Sequence, residues 1–228
     1  MIYITGGSGF IANHLKYYLD LKKINNVVFT RKKSKKFYFV NNYDEIIYKK
    51  NVIIVHLAQH SNTKNTIENN KLFEMYKKIS SHNWTHQIYI STAQIYGDKN
   101  LISNSELDVI NPNNNYSILK KNCENLFLKK NATILRLSNV YGNNMPKNNV
   151  FSDIFRQIDK AEIVLNDIYP IRDYVFIDDV IQAIYLCILK KFRGILNIGT
   201  GVGYSVNELA SFILNEVKKK NTLIKSKK

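Results

Sequence analysis

Cysteine is scarce in this chain. Cys123 and Cys187 are its only two in 228 residues, and neither stands in a CxxC or Cys/His spacing, so neither a disulfide framework nor a structural zinc site is expected. Both read as buried thiols on helices. Long apolar runs are missing as well: none reaches the roughly 20 residues that a membrane helix needs. No charged-then-apolar leader with a small-residue cleavage site opens the sequence, which makes the cytoplasm the simplest compartment. Acidic residues are few, 18 against 33 Lys and Arg, for a net charge of +15. Such an excess is compatible with nucleic acid, an anionic membrane or an anionic small substrate. Lys, Asn, Ile, Tyr and Phe are all used heavily, however, and these share A/T-rich codons. Genome composition therefore accounts for much of the charge, and neither nucleic acid nor membrane is the expected partner.

What is present is an apolar fraction of 45%, enough to bury a sizeable core. The chain alternates short β-rich apolar runs with segments of helical periodicity. MIYIT reads as a first strand, ended by GGSG and followed by a helix over FIANHLKYYLDLKK. NVVFT, NVIIVHLA, HQIYIST and ATILRLS read as further strands, the second nearly unbroken in its apolar character, as suits a parallel strand covered on both faces. A polar helix is expected over residues 64–80 and another around Tyr116. This order implies right-handed βαβ units and a doubly wound parallel sheet of Rossmann type, class α/β. After Val140 come a loop, a helix near 151–158, a strand near 174–177, and a helix over DDVIQAIYLCIL with Asp178 or Asp179 placed to cap it. The strand ILNIG and a last helix from about Ser205 follow. The basic tail KKKNTLIKSKK reads as a solvated, partly frayed end. The expected division is residues 1–140 with 178–196 as the dinucleotide-binding domain, and 141–177 with 197–228 as a small, truncated C-terminal lobe for substrate.

Three local patterns carry chemistry. In T-G-G-S-G-F-I-A, residues 5–12, Gly6, Gly9 and Ala12 stand between the first strand and its helix. Residues without a Cβ let backbone approach a pyrophosphate, and the helix start offers unpaired amides and a favourable dipole. In Y-I-S-T-A-Q-I-Y-G, residues 89–97, a strand ends at Ser91 and Thr92 with hydroxyls at the sheet's carboxyl edge. Tyr116 and Lys120 lie one helical turn apart on one face. The same spacing recurs at Tyr18 and Lys22, so spacing alone does not identify a catalytic pair.

Together these patterns make the chain similar to the extended short-chain dehydrogenase/reductase family, the nucleotide-sugar epimerases, dehydratases and reductases. L-R-L-S-N-V-Y-G (135–142), R-D-Y-V-F-I-D-D-V (172–180) and L-N-I-G-T-G-V-G-Y-S-V-N-E-L (196–209) resemble its later signatures. The resemblance covers about residues 1–210. It implies Thr92, Tyr116 and Lys120 as catalytic residues. Tyr116 would exchange a proton with a sugar hydroxyl, Lys120 would lower the phenol's pKa and hold the nicotinamide ribose, and Thr92 would bond the same oxygen. Ser91 is a second candidate, facing the opposite way along the strand. The cofactor would lie against Gly6, Gly9, Phe10, Ile11, Thr30, Arg31, Lys32, Leu57, Ala58, Tyr116 and Lys120. Asn139 and Arg172 would contact the sugar nucleotide, unless Arg172 pairs with Asp173 or Asp178. His56 reads as packing, and His14, His60, His82 and His86 form no ligand set, so no metal is expected.

The end of the second strand, F-T-R-K-K-S, lacks the carboxylate that usually holds an NAD ribose. Arg31, Lys32 and Ser34 suit a 2′-phosphate, which favours NADP over NAD. Ala93-Gln94 stands where the 4,6-dehydratases of the family carry Asp-Glu, and no cysteine falls where the epimerase-reductases need one. Reduction of a 4-keto nucleotide sugar is the expected reaction, with 4-epimerisation on a retained NAD as the alternative and a non-catalytic RNA-binding or NADP-sensing member as another. The resemblance further implies a homodimer through helices at 64–80 and 113–129. Relatives typically run on past the S-V-N-E-L helix, so the expected pocket is open, completed by another subunit, or impaired.

Overall fold

The computed structural model describes residues 1–58, 66–97, 103–219 and 222–227. Its centre is a seven-stranded sheet formed by β1 (Ile2–Thr5), β2 (Asn26–Thr30), β3 (Tyr38–Phe39), β4 (Ile53–His56), β5 (His86–Thr92), β6 (Ala132–Leu137) and β10 (Gly194–Ile198). The strand order is β10-β6-β5-β4-β1-β2-β3, and every pairing is parallel. Strands β1, β4, β5 and β6 are buried at every residue, which is why none of them shows the alternation of a half-exposed strand and why the polar residues of β5 and β6 are buried with the rest. Helices α1 (Phe10–Leu21) and α5 (Ile177–Lys190) cover one face with a core that includes Leu15, Leu19, Ile181 and Ile184. Helices α2 (Thr66–Ser81) and α3 (Asn115–Phe127) cover the other with Tyr76, Ile79, Cys123 and Phe127. The topology reverses direction between β1 and β4, so the crevice beyond their carboxyl ends is where such folds take their ligands.

A smaller lobe holds β7 (Asn139–Tyr141), β9 (Ile171–Phe176) and β11 (Gly203–Ser205) in one sheet and β8 (Glu162–Leu165) with β12 (Leu223–Ser226) in another. Helices α4 (Val150–Phe155) and α6 (Val206–Glu216) close it around Ile154, Ile163, Leu209 and Leu214. The expected frayed tail is corrected here: residues 223–226 pair in parallel with β8, from Leu223 opposite Glu162 to Ser226 opposite Leu165. Alternate residues Ile224 and Ser226 turn inward, and that half-buried register gives the segment a reason to order. The expected Asp cap on α5 is corrected too. Its cap residue is Phe176, with no side-chain cap bond among the described residues, and Asp178 and Asp179 lie in the first turn, where their charges favour the helix dipole instead.

Candidate active site

The glycine turn after β1 has a backbone that only glycine allows at its first position. Gly6 has φ +78°, and a Cβ there would stand 2.7 Å from the carbonyl carbon and oxygen of Leu57. The turn closes through Gly9 N donating to Gly6 O at 2.8 Å and Gly7 N donating to Phe29 O at 2.9 Å. Helix α1 then starts from Gly9, which has no side chain to cap its first amides, and no other side chain caps them among the described residues. Free amides on a tight, Cβ-poor turn fit a pyrophosphate, so the residues present suit a dinucleotide. Phe10 and Ile11, which carry those amides, are partly buried against the core. Leu57 N donates to the Thr5 hydroxyl at 3.2 Å, and Ala58, 6% exposed, accepts from the Tyr76 hydroxyl at 3.0 Å. Both thus form the floor beneath Gly6.

At the end of β2 the assigned residues separate in character. Thr30 is fully buried and its hydroxyl accepts from Lys32 N at 3.1 Å, so it shapes the loop. Arg31 and Lys32 are exposed, with the Arg31 guanidinium 5.6 Å from the ring centre of Tyr43. Tyr43 is a residue that the sequence did not single out. It is 3% exposed, sits in a short 3-10 turn capped by Asn42, and its hydroxyl accepts from Gly6 N at 3.0 Å. The only sequence signal was an Asn before a Tyr-Asp pair in an irregular stretch, which marks a turn and not a site.

Helix α3 starts where its capping box dictates: Asn114 Oδ1 accepts from Ser117 N at 2.9 Å, and Ser117 Oγ accepts from Asn114 N at 3.3 Å. That start puts Tyr116 in the first turn and Lys120 one turn later on the same face. The structure brings Thr92, Tyr116 and Lys120 together. Thr92 is the side chain that offsets part of the burial of the Tyr116 phenol, and Lys120 Nζ lies 5.6 Å from the Tyr116 ring centre. Lys120 is 4% exposed and donates to the Ile90 carbonyl at 2.5 Å. Thr92 also accepts from Gln94 N at 3.2 Å, capping the 3-10 turn Ala93–Tyr96. Ser91 is buried and its hydroxyl has no hydrogen-bond partner among the described residues. The rival pair has nearly the same geometry, with Lys22 Nζ 5.5 Å from the Tyr18 ring centre. Burial separates the two, because Lys22 is exposed at the C-terminal end of α1.

The electrostatics correct one expectation. Lys120 was expected to lower the Tyr116 pKa, yet burial pushes that phenol up to about 12, with the Thr92 hydrogen bond only partly opposing it. Burial also pushes Lys120 down to about 8, against the pull of Cys123 and Glu124. Both groups are driven toward their neutral forms, because desolvation penalises whichever form is charged. His56 behaves likewise. It is 1% exposed between the rings of Tyr76 and Phe127, Nε2 faces Gln87 Oε1 at 3.3 Å, and burial holds it down at about 4.

Asn139 and Arg172 meet in the smaller lobe, where they line a cavity of about 340 Å³ with Asn149, Val150, Phe151, Tyr174 and others. Arg172 Nη1 donates to the Ile171 carbonyl at 2.8 Å. The neighbouring Asp173 carboxylate accepts from Thr200 N, Thr200 Oγ1 and Gly201 N at 2.8–3.0 Å, pinning the loop after β10. A second cavity, about 590 Å³, lies beside the start of α1, lined by Ser8, Phe10, Asn13 and His14 among others. Among the described residues neither cavity is lined by Thr92, Tyr116 or Lys120. His60 lies outside the described residues. His86 is tied to Asn131 and Thr133.

A dinucleotide turn, a Thr-Tyr-Lys cluster at the carboxyl edge of a parallel sheet and a lobe beside it define an extended short-chain dehydrogenase/reductase. The profile of the NAD dependent epimerase/dehydratase family matches residues 2–199, and the chain belongs to that family. It is 30% identical to a Methanocaldococcus jannaschii protein provisionally named UDP-glucose 4-epimerase, over 95% of this chain and 82% of that one. It is also 30% identical to the GDP-6-deoxy-D-talose 4-dehydrogenase of Aggregatibacter actinomycetemcomitans, over 91% of this chain and 77% of that one. Among solved structures, MoeE5 in complex with UDP-glucose and NAD superposes with a TM-score of 0.81 over 99% of this chain and 85% of that chain. Identity there is 23%, a likeness of fold. Among the described residues no helix is long and apolar enough to cross a membrane.

Proposed function

We propose that the protein is an NAD(P)-dependent oxidoreductase acting on a nucleotide sugar, and that it reduces a 4-keto sugar to the alcohol with Tyr116 as general acid. A bound nicotinamide dinucleotide would supply the hydride for the carbonyl carbon. Tyr116 delivers the proton to the oxygen, Thr92 hydrogen-bonds that oxygen, and Lys120 supports the phenol from one turn along α3. The observation that carries this reading is that Tyr116 sits in the first turn of α3 with Lys120 Nζ 5.6 Å from its ring and the buried Thr92 beside it, in surroundings that hold the phenol at about 12. Such a phenol keeps its proton at neutral pH and is suited to giving it. Gly6, Gly9, Phe10 and Ile11 would hold the dinucleotide at the α1 start, and Asn139 and Arg172 would hold the nucleotide end of the sugar donor, Arg172 by charge-assisted bonds to the diphosphate. The same reading has two copies joined through α2 and α3.

For the cofactor, two observations pull apart. Exposed Arg31 and Lys32, with no carboxylate between residues 30 and 36, favour NADP. The family is NAD dependent by description and MoeE5 was solved with NAD, which favours NAD. The M. jannaschii relative supports 4-epimerisation as the second reading. One experiment addresses all of these: the protein is mixed with NADPH or NADH and a panel of 4-keto nucleotide sugars, and absorbance of the reduced cofactor is followed. Stoichiometric consumption is the expected result, and conversion of sugar without net consumption indicates the epimerase. Tyr116→Phe should lower turnover by roughly 10²–10⁴-fold, the usual contribution of a positioned acid, with cofactor affinity nearly intact. Full activity in that variant, or cofactor binding with no turnover on any sugar, defeats the proposal.

A further inference from the structure

Along α3 the residue one turn past Lys120 is Glu124, 2% exposed. Its carboxylate receives Nε of Arg136 at 3.2 and 3.3 Å and Nη2 at 2.8 Å. Arg136 stands on β6 and is itself 3% exposed. Its third nitrogen, Nη1, donates to the Tyr96 hydroxyl at 2.7 Å and to the Glu106 carbonyl at 3.3 Å. Tyr96 ends the short turn that Thr92 caps, and its hydroxyl donates to Asn197 Oδ1 on β10 at 2.7 Å. Asn197 N in turn donates to Glu106 Oε1 at 2.7 Å. One guanidinium therefore touches three pieces of chain: the helix that carries Tyr116 and Lys120, the turn that starts at Thr92, and the segment around Glu106.

Stability is a weak reason for such a cluster. Desolvating two charges is costly, and apolar residues of similar volume often hold a fold as well or better. What a guanidinium adds is a rigid planar fork, with donors that fix the directions of several acceptors at once. The acceptors fixed here belong to the two elements whose spacing sets the Thr92–Tyr116 contact.

We propose that Arg136, Glu124 and Tyr96 form a positioning unit that sets the distance and angle between the Thr92 turn and the Tyr116/Lys120 face of α3. The proposal rests on the assignment of chemistry to Thr92, Tyr116 and Lys120 above. Misplacing a reacting group by about 1 Å costs on the order of 10²-fold in rate, so a loosened unit acts on kcat and leaves ligand contacts in place. Tyr96→Phe deletes only the bridging hydroxyl, and Glu124→Gln keeps the side chain's shape. Each should lower kcat about tenfold with KM and the dissociation constant for the cofactor within about twofold of wild type. The double variant should lose no more than the worse single one, because both act through Arg136. Hydrogen–deuterium exchange of the segment 114–122 should rise in Glu124→Gln whether or not a substrate is known. Unchanged kcat in both folded variants, losses that multiply independently, or a loss in KM alone overturns the proposal. If the wild type turns over no nucleotide sugar, the assignment of chemistry fails, and unchanged exchange in Glu124→Gln then rejects the positioning unit separately.

Discussion

Replacing Lys120 by Met should cost the protein its activity and none of its stability at neutral pH. Lys120 is 4% exposed, and burial lowers its pKa from 10.5 to about 8. Holding the proton inside the fold instead of the unfolded chain therefore costs about 3 kcal/mol. Methionine removes that cost, and it also removes the donor that serves the Ile90 carbonyl, a loss of about 1–3 kcal/mol. At pH 7 the variant should be equal in stability to the wild type or up to about 2 kcal/mol above it. The pH dependence is the sharper signature. Below pH 8 both states of the wild type keep the proton and the penalty is complete; above 10.5 neither does and it is gone. Between them the unfolded chain binds more protons, so wild-type stability rises with pH relative to the variant by about 3 kcal/mol. Urea unfolding of both proteins at pH 7, 8, 9 and 10 measures this, and the difference cancels titrations that the two share. A difference that stays flat within about 0.5 kcal/mol, or a variant several kcal/mol less stable at pH 7, would show that the ammonium is not a strained group.

His56 gives the opposite window. Its pKa falls from 6.5 to about 4 on burial, so stability is complete above pH 6.5 and declines as pH drops toward 4, by about 3 kcal/mol; a His56→Asn variant that loses stability just as steeply over that range in denaturant titrations would refute this. Gly6→Ala should destabilise by about 2–4 kcal/mol, since its Cβ meets the Leu57 backbone at 2.7 Å on a φ of +78° that L-residues adopt at a cost; an unchanged thermal midpoint would contradict the geometry.

The parts of the fold that were legible in the sequence are those whose order depends on local pattern. β1, β4, β5 and β6 are buried on both faces, and their apolar or β-rich stretches marked them as strands, while α3 was legible around Tyr116 without the Asn114/Ser117 box that fixes its start. β7, β8, β11 and β12 escaped notice because each has only three or four residues and none is buried throughout. Their order comes from partners distant in sequence: β12 pairs with β8 across β9, α5, β10, β11 and α6. The site was legible as residue types and illegible as electrostatics. Spacing put Tyr116 and Lys120 on one face but carried no information about depth, and depth decided both pKa directions. Arg136 was visible as a lone charge inside A-T-I-L-R-L, a fully buried strand, and that mismatch with an otherwise apolar run was the one signal that could have led to Glu124.

Depth also bears on the direction of the reaction. An epimerase must have its tyrosine accept a proton when the sugar is oxidised and return it when the ketone is reduced, so it works best with a phenol poised near the ambient pH. A reductase asks only for the second half. Burial at Tyr116 raises the phenol to about 12, and the Thr92 bond recovers only part of that shift. The Lys120 ammonium that could favour phenolate is tied to the Ile90 carbonyl and is itself discouraged by burial. The same low-polarity surroundings that make proton removal difficult make the phenol hydrogen bond to a developing alkoxide stronger. A site built this way keeps the phenol protonated at neutral pH, so under the proposed reading Tyr116 begins each turnover holding the proton that ketone reduction requires, independent of which dinucleotide the Arg31 loop selects.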